Sequence, residues 1–224
     1  MRQDPLWRPT PESAASSEMA RFRTFFGERL GVALPDYPAL HRASVEERPQ
    51  FWSALWDYCG VIGEKGGRSL GEDRMPGAQF FPEALLNYAE NLLRDPDDRE
   101  AIVFRAEDRV ERRMTRRELL TAVGKAQRFL DSKGIGVGDR VAAMLPNCPE
   151  AIVMMLATAS IGAIWSSCSP DFGARGVLDR FSQIEPKLFI GCDGYFYNRQ
   201  QLSIRDKIAE ILDALPTVKA TLII

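Results

Sequence analysis

A chain of 224 residues has room for one large domain or two small ones, and 45% hydrophobic with 27% charged residues is the composition of a globular protein that can bury a core. Its 29 basic and 31 acidic residues leave a net charge of −2, and no basic face or Lys/Arg run marks a nucleic-acid binder. The four cysteines lie far apart with no Cys-x-x-Cys pair, which fits neither a zinc site nor a small disulfide scaffold.

The first ten residues carry charges and prolines but no apolar stretch of the secretory type. The longest apolar run, 151–165, is interrupted by Thr158, Ser160 and Gly162 and falls short of the ~20 residues that span a bilayer. The expectation is a reduced, cytoplasmic chain with no nucleic-acid or membrane partner.

In chain order, residues 1–98 read as helices and long loops. Met19, Phe22, Phe26 and Leu30 recur at helical spacing after Ser16-Ser17, and Gly31 closes that helix. Pro49 starts a second, with Trp52, Leu55, Trp56 and Cys59 on its apolar face. The Gly- and charge-rich segment 60–77 reads as a loop. Phe80-Phe81-Pro82 leads into a third helix carrying Leu85, Tyr88, Ala89 and Leu92, and Asp95-Pro96-Asp97-Asp98 is a turn.

From residue 100 the hydrophobic period alternates between two and 3.6. A strand at 101–105 turns at Glu107-Asp108 into a partner at 109–112. Thr115-Arg116-Arg117-Glu118 is a capping box opening a helix that ends at Gly134. Strands follow at 140–145, 163–166, 187–191 and 218–224. The intervening helices are 149–161, which is apolar nearly all round and should be buried on both sides, 174–184 and 204–215. Such alternation implies right-handed crossovers and a doubly wound parallel sheet. The arginines at 112, 113, 116 and 117 alternate with Glu111 and Glu118 and read as a solvated face.

In such a sheet ligands sit in loops outside the carboxyl ends of the strands. Three loops qualify: 146–149, 166–172 and 192–199. The middle one offers three serines and Asp171 ahead of a helix start, where backbone N–H groups favour anions; Ser-Pro-Asp is equally a helix-capping sequence. The last offers Tyr195, Phe196, Tyr197 and Arg199 as a platform for a base and a phosphate. Other signals fail. Gly134-x-Gly136-x-Gly138 leads into a strand, the wrong order for a dinucleotide fingerprint, and reads as a turn. The segment 63–69 has neither P-loop spacing nor a preceding strand. His41 is the only histidine and sits among helices and loops, and Cys168 has no visible base, so neither builds a nucleophilic site.

Three N-terminal stretches, Pro5-Leu6-Trp7-x-Pro9, Phe51-Trp52-x-x-Leu55-Trp56-Asp57 and Leu86-Asn87-Tyr88-Ala89-Glu90-Asn91-Leu92, together with Trp165-Ser166-Ser167-Cys168-Ser169-Pro170-Asp171-Phe172-Gly173, resemble the N-terminal part of the acetoacetyl-CoA synthetases (acetoacetate–CoA ligases). These are a family of adenylate-forming acyl-CoA synthetases. Gly138-Asp139-Arg140-Val141 and Leu145-Pro146-Asn147 are similar to sheet segments found across that superfamily. The Trp165–Gly173 stretch is the specific one, since acetyl- and propionyl-CoA synthetases typically have Phe-Gly-Gly in that loop.

The resemblance implies an α/β fold, with a helical N-terminal cap over 1–98 followed by the first part of a doubly wound, mostly parallel sheet over 99–224, an incomplete adenylate-forming domain. It implies an acid–thiol ligase that converts acetoacetate, ATP and CoA to acetoacetyl-CoA, AMP and pyrophosphate through an acyl-adenylate, with Mg²⁺ neutralising the phosphates. Complete members carry a Ser/Thr/Gly-rich phosphate loop ending in Lys, an aromatic adenine-and-acyl pocket, a ribose-binding Asp and a mobile C-terminal domain with the adenylation lysine. These residues contain none of them, so the isolated chain is expected to be inactive, with no catalytic residue and no metal ligand. Only the CoA-facing surface carries over: Ser169, Pro170 and Asp171 match in position the Phe-Gly-Gly loop that touches CoA, and Arg199 matches a basic residue that contacts CoA phosphate. Two other readings stand beside it. One is a non-catalytic module that binds CoA, self-associates or pairs with a further polypeptide through the strand at 218–224. The other is a fragment of another short-chain acyl-CoA synthetase.

Overall fold

A computed structural model describes residues 5–106 and 110–224. The chain divides into two compact units, the first ending at Leu86 and the second beginning at Asn87.

In the first unit each helix starts on a local signal. Thr10 caps α1 (Pro11–Ala15) and Ser17 caps α2 (Glu18–Leu30), each hydroxyl accepting a backbone N–H, and Gly31 ends α2 in the left-handed conformation at φ 69°. Asp36 caps α3 (Tyr37–Glu46) and α4 spans Arg48–Tyr58. The hydrophobic period alone does not reveal α1 and α3, both short and both opened by a capping residue with a proline close behind.

The core holds Phe22, Phe26, Leu40 and Ala54, with Phe51 edge-on to both phenylalanines at 5.6 and 5.4 Å. Met19 is 53% exposed and does not join it. The expected α4 face is turned as well: Phe51, Ala54, Leu55 and Tyr58 meet the core, while Trp52 and Trp56 pack on Phe80 and Phe81 of the long loop.

The expected third helix does not begin at Phe80. Leu85 pairs with Glu64 in an isolated antiparallel bridge, and Phe81 has φ 46°. The helix starts only where Asn87 accepts the Ala89 and Glu90 N–H groups, giving α5 (Tyr88–Leu93).

In the second unit β1 (Glu100–Ala106) and β2 (Val110–Thr115) form an antiparallel pair, and the turn expected at Glu107-Asp108 lies outside the described residues. The capping box is present: Thr115 Oγ1 accepts the Glu118 N–H at 3.2 Å and the Glu118 carboxylate accepts the Thr115 N–H at 2.8 Å, opening α6 (Arg116–Ser132). The four arginines are ion-paired rather than merely solvated. Arg112 binds Glu150 through two 2.7 Å bonds, Arg113 binds Glu100, Arg116 reaches Asp97 and Arg117 binds Asp98.

The main sheet has the order β4-β3-β5-β8, every pair parallel, from β3 (Arg140–Met144), β4 (Ile164–Cys168), β5 (Leu188–Gly191) and β8 (Ala220–Ile223). The connection from β3 through α7 (Pro149–Ser160) steps one way, and that from β4 through α8 (Ala174–Phe181) steps back over β3. Right-handed crossovers in opposite directions put helices on opposite faces. Accordingly α7 packs with α5 and α6, and α8 with α9 (Arg205–Asp213). No residue of α7 is exposed, as its apolar composition requires. The central strands β3 and β5 bury every residue except Arg140, which is partly exposed.

Ionic staples close the amino end of this sheet. The Lys187 ammonium donates to the Gly134 carbonyl and, at 2.9 Å, to Asp139, and Arg140 Nε donates to the Ile184 carbonyl at 2.7 Å. Lys187, then the Gly136 N–H, hold the Asp139 carboxyl below the usual carboxylate range. A carboxylate depressed in the folded state stabilises it above the unfolded value near pH 4, and loses that contribution as pH falls through the folded value. Asp139→Asn is therefore expected to flatten the loss of stability below about pH 4 and to lower stability at pH 7. Urea midpoints between pH 2 and 7 check this; identical acid limbs in the two proteins would count against it.

Candidate functional site

The connections leaving β3 and β5 run in opposite directions, which makes the carboxyl ends of these strands the switch point of the sheet, where open α/β folds place ligands. Three segments gather at that edge: 146–148 after β3, 169–173 after β4, and the stretch after β5. The middle segment is shorter than the loop expected over 166–172. Ser166, Ser167 and Cys168 are strand residues paired with Ala142, Ala143 and Met144, so of the three serines only Ser169 is on the loop. The stretch after β5 is not an open loop either. It forms a hairpin of β6 (Gly194–Tyr197) and β7 (Gln200–Ser203), turned by Asn198 and Arg199 at φ 49° and 63°.

The loop 169–173 is held from several directions. Ser169 Oγ donates to Asp171 Oδ2 at 2.8 Å, and the Tyr195 hydroxyl, from β6, donates to Asp171 Oδ1 at 2.5 Å. Lys207 Nζ, from α9, donates to the Pro170 carbonyl at 2.8 Å and the Phe172 carbonyl at 3.1 Å. The Arg180 guanidinium lies 4.5 Å from the centre of the Phe172 ring. The Tyr195 and Ser169 hydrogen bonds hold the Asp171 carboxyl low, while the same carboxylate pushes the Tyr195 phenol up to about 12. At neutral pH the pair is a carboxylate accepting from a neutral phenol.

Helix capping is not what the Ser-Pro-Asp segment does. The N-cap of α8 is Gly173, with no side-chain cap, and both Asp171 oxygens are taken by hydroxyls. Of the four expected ligand-facing residues, Ser169 and Asp171 come together on the exposed loop, and Pro170 lies buried beneath it. Arg199 is exposed on the hairpin turn, beyond Phe196, Tyr197 and Asn198 from the Tyr195 anchor.

The residue missed from sequence is Lys207. A signal for it existed, because a cation in the first turn of a helix faces the positive end of the dipole and needs another partner. Burial pushes the Cys168 thiol up to about 11, and burial likewise raises Cys148 and Cys192, so the thiols at this edge are poor nucleophiles. Among the described residues no group of three or more His, Cys, Asp or Glu side chains converges to hold a metal ion. No helix among them is long and apolar enough to cross a membrane.

The crossover sheet gathers its polar loops at the carboxyl edge, where open α/β folds place ligands, and the profile of the AMP-binding enzyme family matches residues 88–224. The chain belongs to that family. It is 55% identical over 217 residues to the acetoacetyl-coenzyme A synthetase of Rhizobium meliloti (strain 1021), which covers 96% of this chain and 33% of that protein. It is 38% identical over 221 residues to the acetoacetyl-CoA synthetase of Xenopus tropicalis, again 96% of this chain and 33% of the relative. The solved structure of acetoacetyl-CoA synthetase from Streptomyces lividans superposes with a TM-score of 0.92 at 41% identity, covering 99% of this chain and 35% of that one. The chain thus spans about a third of the length of these relatives.

Proposed function

We propose that these residues are the N-terminal part of an acetoacetate–CoA ligase, with 1–98 as the helical cap segment and 99–224 as the first part of the adenylate-forming domain. The whole enzyme would activate acetoacetate with ATP as an acyl-adenylate, releasing pyrophosphate, and the CoA thiol would then displace AMP. A carboxylate resists nucleophiles, whereas a mixed anhydride carries a good leaving group. The observation that carries this reading is similarity along nearly the whole chain to an acetoacetyl-coenzyme A synthetase at 55% identity. In the whole enzyme Mg²⁺ would supply charge neutralisation at the phosphates.

The part played by this chain is to present the CoA-facing edge: Ser169 and Asp171 on a pre-formed loop, Pro170 fixing its base, and Arg199 as a cation for a CoA phosphate. The four free cysteines support a reducing, cytoplasmic setting. Because the family's phosphate loop and lysine-bearing C-terminal domain are not among these 224 residues, the residues on their own are expected not to adenylate. The purified chain is expected to give no acetoacetate-dependent ATP–pyrophosphate exchange; exchange above background that follows the chain through purification would overturn that claim.

A second reading, a non-catalytic module that pairs through β8, is favoured by one observation. Among the described residues β8 pairs with β5 alone, at the edge of the sheet, and Ile223 is 48% exposed. Sedimentation velocity separates the two, since a strict monomer at all concentrations excludes self-pairing.

A further inference from the structure

The β6–β7 hairpin is a two-stranded sheet of its own, and such a sheet is marginal in water without an anchor. Its base is tied to its own surroundings by the Ile204 N–H bond to the Asp193 carbonyl and by the Arg205–Asp193 ion pair. The Tyr195 hydroxyl on Asp171 links it to another ligand-edge segment, across 24 residues of sequence. Both oxygens of Asp171 are committed, one to the hairpin and one to Ser169 of its own loop. The carboxylate of the exposed loop is therefore taken up by internal bonds.

We propose that Asp171 is a positioning residue, whose carboxylate locks loop 169–173 and the β6–β7 hairpin into one unit, so that the hairpin turn bearing Arg199 is held in fixed register with the loop. Lys207 supports that unit from α9 by holding the Pro170 and Phe172 carbonyls. A carboxylate suits a place between two hydroxyl donors because it accepts from both sides, whereas an amide would have to turn one N–H toward a donor. The proposal rests on the CoA-facing reading only for what the unit would hold, the phosphate-bearing end of CoA.

Amide hydrogen exchange on the 224-residue chain tests it without ligand. In Tyr195→Phe, the amides of 169–173 and of 194–203 are expected to exchange about tenfold faster together, the size of one lost charge-assisted hydrogen bond. Asp171→Asn should give the same pattern, and the double variant no more than either single one. Peptides from β3 and β5 at wild-type rates verify that the sheet is intact in both variants. If the hairpin loosens while the loop keeps its wild-type rates, or if the two variants add independently, the two segments are not one unit and the proposal falls. Adding CoA to the wild-type chain is a separate arm. Protection of both segments at once supports the coupled unit and the CoA-facing reading. Coupled loosening in the variants with no protection by CoA leaves the coupling standing and removes the CoA-facing reading.

Discussion

Phe181→Ala is expected to lower the unfolding free energy of the second unit by about 3–5 kcal/mol, the largest effect of any single truncation proposed for this chain. Phe181 is fully buried at the end of α8 and meets the Phe189 ring of β5 edge-on at 6.2 Å. Removing the ring withdraws its transfer free energy and leaves a cavity between a helix and a sheet whose central strands are buried, where little can collapse into the gap. Leu120→Ala on α6, 39% exposed, is the control and should cost about 1 kcal/mol or less. Urea unfolding, with exchange of β3 and β5 peptides to isolate the second unit, measures both; comparable losses for the two variants would show that α8 does not close the core.

Thiol reactivity is the second large effect. Cys59 is exposed, whereas Cys168 and Cys192 are buried and Cys148 is partly buried. Raised from 9 to about 11, the Cys168 thiol at pH 8 is thiolate roughly a hundred times less often than it would be unshifted, before any loss of access is counted. In the native chain a disulfide reagent is therefore expected to modify one thiol rapidly, with Cys168 slower by at least about two orders of magnitude. Cys59→Ser should remove the fast phase, and denaturant should make the remaining thiols react together. A fast phase that survives Cys59→Ser would place a reactive thiol at the sheet edge and reopen a nucleophilic role there.

The alternating part of the fold was largely legible because periodicity is a local property. Four parallel strands, the capping box at Thr115 and the buried character of α7 follow from hydrophobic spacing and end signals alone. The helical unit was less legible. Its α4 is apolar on two sides, so spacing could not say whether Trp52 and Trp56 or Phe51 and Tyr58 face the core. The hairpin escaped because Asn198-Arg199 supplies a positive-φ turn without glycine at its second place, so the commonest hairpin signal is absent.

The candidate site divides along the same line. The serine-rich segment marked a loop at the carboxyl end of a strand, and the motif from Trp165 to Gly173 pointed to the acetoacetyl-CoA synthetases, to one of which the chain is 55% identical. What each side chain of that loop does could not be read locally. Ser166 and Ser167 have the composition of loop hydroxyls, and only their pairing with β3 places them in the sheet.

The sequence by itself determined the order and kind of the main-sheet strands and of the helices that connect them, and with them the α/β class, because propensity, capping and period act over a few residues. The tertiary structure decided the strand order β4-β3-β5-β8, and with it which segments converge at one edge. It also decided that Asp171 answers to Tyr195 and that the neighbouring carbonyls answer to Lys207, partners 24 and 37 residues away. Those contacts exist only after the chain crosses back over β3, and no local period encodes a crossing.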